Sequence, residues 1–114
     1  MKVLVTFSAD EKFRKAILGS LDHAGDVVFL SDLRKKERSS ALTTAGVLIS
    51  WNPARELNPT EFSLLSNVRL LQLLSAGADH LSLSQIPPTV TIASNPGAYA
   101  EQMAEHTIAM ILAI

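Results

Sequence analysis

Apolar and polar positions along this chain fall into short apolar runs separated by stretches of helical spacing. The apolar runs are Val3-Leu4-Val5-Thr6-Phe7, Asp26-Val27-Val28-Phe29-Leu30, Ala45-Gly46-Val47-Leu48-Ile49-Ser50, Arg69 to Leu74 and Val90-Thr91-Ile92-Ala93. Their apolar residues are consecutive rather than alternate, as in strands buried on both faces of a sheet. After the first run, Phe13, Ile17, Leu18 and Leu21 recur at helical spacing, with Ser8 or Asp10 as the cap and Gly25 as the stop. Ser31 and Asp32 are cap candidates for the charged segment Arg34, Lys35, Lys36, Glu37 and Arg38, read as a solvated helix face. The third run ends in Trp51-Asn52-Pro53, where proline forbids further strand pairing. Asn58-Pro59-Thr60-Glu61 opens the next helix with a cap residue and proline in the first turn, and Leu57, Phe62, Leu64 and Leu65 supply its apolar side. Pro87 and Pro88 separate the fifth run from the short 81–86 segment.

Strands alternating with helices predict an α/β domain: a parallel five-stranded sheet with right-handed crossovers and helices on both faces. We expect a flavodoxin-like three-layer arrangement with strand order 2-1-3-4-5, an order that spacing alone does not fix. In such sheets ligands gather beyond the carboxyl ends of the strands. Here those ends carry Phe7-Ser8, Ser50-Trp51-Asn52, Ser75-Ala76-Gly77 and Ser94-Asn95. From Ala100 a last helix places Met103, Ala104, Ile108, Ile111 and Leu112 on one face, and Met110, Ala113 and Ile114 make the remainder apolar. A helix apolar all round is predicted to be buried. It also has no stop signal, so residues 1–99 are expected to form one lobe and residues 100–114 to begin a helix leading into a second domain.

Composition narrows the function classes. The chain has 114 residues, a length for one domain, and is 47% hydrophobic. Its formal net charge of −1 provides no basic footprint, which argues against nucleic acid as a partner. It has no cysteine, hence neither disulfides nor thiolate chemistry. No apolar run reaches membrane-spanning length and no signal-peptide core follows Met1, so a soluble cytoplasmic protein without membrane partners is expected.

The chemistry concentrates after Leu70. Ser75-Ala76-Gly77-Ala78-Asp79-His80 is a small, Gly-containing loop straight after a buried strand, where backbone N–H groups can approach an anion. Further on, Ser94 to His106 runs Ser-Asn-Pro-Gly-Ala-Tyr-Ala-Glu-Gln-Met-Ala-Glu-His. This stretch resembles the pattern Asn-x-Pro-Gly-x-Asn-x-x-x-Val-Ala-Glu-His of the D-isomer-specific 2-hydroxyacid dehydrogenases, with Pro96, Gly97, Ala104, Glu105 and His106 matching. Ser94 and Tyr99 depart from it, Ser94 standing where Asn is usual and Tyr99 where Asn or Ser is frequent. Element order extends the resemblance to the whole chain, as the N-terminal, substrate-binding lobe of such an enzyme.

The resemblance implies an NAD- or NADP-dependent oxidoreductase acting on a small 2-hydroxy or 2-oxo acid, dimeric when complete. It implies that backbone N–H groups of Ala76, Gly77 and Ala78 hold the substrate carboxylate, with Asp79 bracing the loop and His80 filling space beside it. It places Asn52, Trp51 and Tyr99 against substrate and Met103 against the nicotinamide. Glu105 is expected to find a structural partner, and His106 to be exposed or held by neighbouring side chains. The family's dinucleotide loop, catalytic Arg and Glu–His acid–base pair lie in its second domain, and residues 1–114 contain no Gly-x-Gly-x-x-Gly; no catalytic residue is expected here. The alternative is a self-contained flavodoxin-like module, a flavin carrier or a regulatory domain. For flavin, Thr6, Ser8 and Asp10 supply only a poor phosphate loop.

Overall fold

The structure, a computed structural model, describes residues 1–23 and 25–113. Five parallel strands, β1 (Lys2–Val5), β2 (Asp26–Phe29), β3 (Val47–Ser50), β4 (Leu70–Leu73) and β5 (Thr91–Ala93), form one sheet in the order β2-β1-β3-β4-β5. This is the expected α/β architecture. Register runs Val3 to Val27 and Val47, Leu48 to Leu71, and Leu71 to Ile92. Each strand is shorter than its apolar run. Thr6 and Phe7 lie beyond β1, and Leu74 beyond β4, yet Thr6 and Phe7 stay buried.

The two faces of the sheet are covered unequally. One face buries Leu4, Leu48, Leu71 and Leu73 under α2 (Lys35–Thr44) and a kinked 3-10 helix (Pro59–Asn67), through Ala41, Leu42, Phe62 and Leu65. The other buries Val3, Val5 and Ile49 under α1 (Glu11–Ser20), which contributes one buried residue, Ile17. Leu18, expected on that apolar side, is instead 46% exposed. On this thinner face β4 presents Gln72, whose amide donates to the Leu73 carbonyl at 3.0 Å.

Of the two cap candidates for α1, Asp10 is the cap, accepting from Phe13 N–H at 2.7 Å. Two other helix-end signals depart from expectation. Gly25 does not stop α1, which ends at Ser20; it opens the approach to β2 at φ +123°, where a Cβ would lie 2.1 Å from the Met1 carbonyl oxygen. Ser31 and Asp32 belong to a 3-10 turn (Leu30–Asp32) and do not cap α2, which begins at Lys35 with the Glu37 carboxylate accepting from Arg34 N–H. Asp32 instead takes both ends of the Arg14 guanidinium at 2.6 Å, and that hydrogen-bonded pairing holds its carboxyl below the usual range.

The charged run is not solvated throughout. Arg38 grips Glu61 with two bonds of 3.0 and 2.9 Å across α2 and the 3-10 helix. Burial pushes the Glu61 carboxyl up, but the Arg38 and Asn58 N–H bonds and the Arg38 charge outweigh it and hold the group below its ordinary value.

The last helix, α4 (Ala100–Ala113), contradicts the expectation of burial. None of its residues is buried, with Met103, Ile111 and Leu112 exposed by 67%, 64% and 80%. Glu105 and His106 are likewise exposed, and Glu105 has no structural partner among the described residues. The physical reason is geometric: α4 leaves the sheet edge after β5 and projects from it rather than folding back. Ile114, expected to extend its apolar surface, lies outside the described residues. No helix among the described residues is long and apolar enough to cross a membrane.

Candidate functional site

Because all five strands are parallel, their carboxyl ends share one edge, and the loops leaving them build the candidate site there. The loops are tied to the sheet by backbone bonds. Leu74 N–H donates to the Ser50 carbonyl at 2.9 Å, and Asn95 N–H to the Ser75 carbonyl at 3.0 Å. The loop after β4 thus sits between those after β3 and β5.

In the loop after β4, the Ser75 hydroxyl donates to the Gly77 carbonyl at 2.9 Å, and Leu81 N–H to the Ala78 carbonyl at 3.0 Å. The N–H groups of Ala76, Gly77 and Ala78 have no acceptor among the described residues, and all three residues are exposed. A Cβ on Gly77 would meet only an Asp79 carboxylate oxygen, at 3.9 Å, and its φ is not positive. Glycine is therefore not required there by the fold itself. Asp79 makes no bracing hydrogen bond among the described residues, contrary to expectation, and both it and His80 are exposed.

The loop after β3 is built differently. Asn52 caps α3 (Pro53–Glu56) through its side-chain oxygen, which accepts from Ala54 N–H at 3.2 Å. Trp51 is half-buried and stands edge-on to Phe7 and Phe13, with ring centroids 6.2 and 6.5 Å away. Phe7 and Phe13 meet at 5.6 Å, so rings from the segments following β1 and β3 and from α1 enclose this end of the edge.

Sequence reasoning missed Glu56. Its Oε1 accepts from the hydroxyls of Thr6 and Ser50, both at 2.7 Å, and from Trp51 N–H at 3.2 Å; its Oε2 accepts from Asn52 N–H at 2.5 Å. A signal was present: Asn52-Pro53 with Glu56 four residues after the cap resembles, one residue longer, Asn58-Pro59 with Glu61 three residues after its cap, and in both the glutamate reaches back to the cap N–H. With the Thr6 hydroxyl directed to a carboxylate and Asp10 capping α1, the end of β1 offers a flavin phosphate little.

After β5, Ser94 is half-buried, and Gly97 turns the chain at φ +79° into α4. The Tyr99 carbonyl accepts from Met103 N–H at 2.8 Å, so Tyr99 sits at the helix start, 42% exposed. Its ring and Met103, His106 and Met110 border a shallow groove along α4. The structure therefore brings Trp51, Asn52 and Ala76–Ala78 to adjacent loops of one edge, with Tyr99 beginning the helix beyond it. Met103 lies a turn further out. No cluster of His, Cys, Asp and Glu able to hold a metal occurs among the described residues.

No protein-family model matches the chain, and no curated protein matches it either. Among solved structures, it is similar to a glycerate dehydrogenase-related protein from Thermoplasma acidophilum, with 26% identity and a TM-score of 0.65. The match covers 99% of this chain but 34% of that one, so the chain spans about a third of its length. In element order, sheet topology and this likeness, the chain resembles the D-isomer-specific 2-hydroxyacid dehydrogenases.

Proposed function

We propose that this chain is the substrate-binding lobe of an NAD- or NADP-dependent oxidoreductase that moves a hydride between nicotinamide and a 2-hydroxy or 2-oxo acid. The observation that carries the reading is the run of unengaged N–H groups at Ala76–Ala78, on the ligand-bearing edge of a fold shared with a glycerate dehydrogenase-related protein. Backbone amides without internal acceptors are suited to a carboxylate, and charged hydrogen bonds of this kind are stronger than neutral ones. A glycine that the fold does not require lets the acid group come close to the main chain.

Around that anchor, the Asn52 amide NH₂ donates to the substrate, Trp51 walls one side against water, and the Tyr99 phenol borders the other. Met103 offers its exposed thioether as an apolar surface for the nicotinamide ring, which supplies the hydride when bound. Residues 1–99 form the lobe. Residues 100–114 begin the helix leading to a dinucleotide-binding domain, which carries the arginine that polarises the carbonyl and the histidine that transfers the proton. Closure hinges near Tyr99, and the complete enzyme is a cytoplasmic homodimer.

The test uses protein expressed from the natural reading frame, assayed with glyoxylate, pyruvate and hydroxypyruvate against NADH and NADPH. Turnover with at least one pair is expected, and Gly77→Ala should raise KM about tenfold, as for loss of one charged hydrogen bond. Absence of turnover with every pair, together with no binding of the three acids by calorimetry, would overturn the reading.

A further inference from the structure

The convergence on Glu56 is more elaborate than a strand clamp requires. Thr6 follows β1 and Ser50 ends β3, with side chains that reach the carboxylate from the sheet; both residues are buried, at 5% and 0% exposure. Two hydroxyl bonds of 2.7 Å suffice to join those strand ends. The two further donors, Trp51 N–H and Asn52 N–H, belong to the loop. Glu56 lies one helical turn beyond Asn52, so its carboxylate folds back over the start of α3 and fixes two successive peptide groups. Those peptides carry the indole and the amide that face the edge. The Asn52 side-chain oxygen is already occupied by Ala54 N–H, and its NH₂ has no acceptor among the described residues.

We propose that Glu56 is a positioning residue for ligand binding: by holding the Trp51–Asn52 main chain, it sets where the Asn52 NH₂ and the Trp51 indole stand relative to an acid group on Ala76–Ala78. This rests on the substrate-lobe reading. Glutamine in place of Glu56 keeps size and shape but carries one oxygen and one NH₂. Whichever way that amide turns, one of the two loop N–H groups faces another donor, while the rotatable hydroxyls of Thr6 and Ser50 adapt. Thr6→Val is the complementary change, removing a strand arm and leaving both loop arms in place.

The experiment measures kcat, KM and Tm for wild type, Glu56→Gln, Glu56→Asp and Thr6→Val in protein from the natural reading frame, with glyoxylate, pyruvate and hydroxypyruvate. Where turnover is absent, the dissociation constants of the same acids replace KM. Glu56→Gln is expected to raise KM about tenfold with kcat within about twofold, the size of one misplaced polar contact. Thr6→Val is expected to lower Tm at least as much while KM stays within about twofold, because only the strand arm is lost. Should Glu56→Gln fail to fold, Glu56→Asp, which keeps the charge on a shorter arm, is read in its place with the same expectation. Equal KM changes in the Glu56 variant and Thr6→Val, or an unchanged KM in the Glu56 variant, would reduce Glu56 to a structural clamp. If wild type neither turns over nor binds any of the three acids, the substrate-lobe reading itself fails and the positioning role falls with it.

Discussion

Gly25 and Gly77 stand in opposite surroundings. At Gly25 the main chain adopts φ +123° and passes so close to Met1 that any side chain collides with its carbonyl. Gly25→Ala should therefore cost at least about 2 kcal/mol, read as a lower midpoint in urea unfolding. Gly77→Ala should leave that midpoint within about 0.5 kcal/mol, because its Cβ enters open space. The Arg38–Glu61 pair permits a second expectation. The guanidinium is 21% exposed and the carboxylate 9%, so Arg38→Ala strands a mostly buried anion and should cost about 2–3 kcal/mol, below the usual range because Arg38 keeps some contact with water. The Glu61 carboxyl is held below its ordinary 4.5, so the folded state binds fewer protons than the unfolded state in that range. The pair's contribution is complete above about pH 4.5 and is lost as pH falls through the lowered folded value. In Arg38→Ala, stability measured across that window should fall less steeply. Of these residues the sequence announced the glycines but not their reasons. It also read Arg38 as solvated, because a charge run does not reveal which member lies one packed helix away from a carboxylate.

At the scale of elements, α4 is the least supported part of the chain. A 14-residue helix is near the limit of stability in water, and here no tertiary contact buries a single residue of it. Among the helices and strands of this 114-residue chain, amide exchange should be fastest in α4 and slowest in β1, β3 and β4, measured by mass spectrometry at neutral pH. Protection in α4 equal to that of the central strands would show that its apolar surface is covered in solution. The strands were legible because their apolar runs are short, most of them rich in β-branched residues, and bounded by turn signals. Their ends were not, since beyond the last residue of β1 Thr6 still donates its N–H to the Ile49 carbonyl and Phe7 packs on Phe13 and Trp51, so both stay buried. The helix start at Lys35 was missed because its reaching-back glutamate, Glu37, lies inside the helix, whereas cap residues are sought before it. The start at Pro53 was missed because its cap, Asn52, was read with Pro53 as the end of a strand. The edge loops that form the candidate site could be located from sequence. The acceptor that organises one of them left only a local signal, Asn52-Pro53 before Glu56, because the sheet alone brings Thr6, beyond β1, beside Ser50 at the end of β3.

The whole molecule is longer than a compact domain of this size. Its radius of gyration is 16.1 Å against about 13 Å for a compact chain, and its longest extent is 53 Å. Most of the excess is α4, about 21 Å of helix beyond the sheet edge. Strand order has a consequence for the order of assembly. β1 lies between β2 and β3, and thereafter the sheet grows outward in chain order through β4 to β5. During synthesis, therefore, the first strand made waits for both its neighbours, and every later strand adds to an edge already complete. Vectorial growth of this kind never leaves a gap in the sheet to be filled from behind. The last strand to emerge is also the one that delivers Ser94 and Tyr99, so the ligand edge is finished only when the ribosome has passed it.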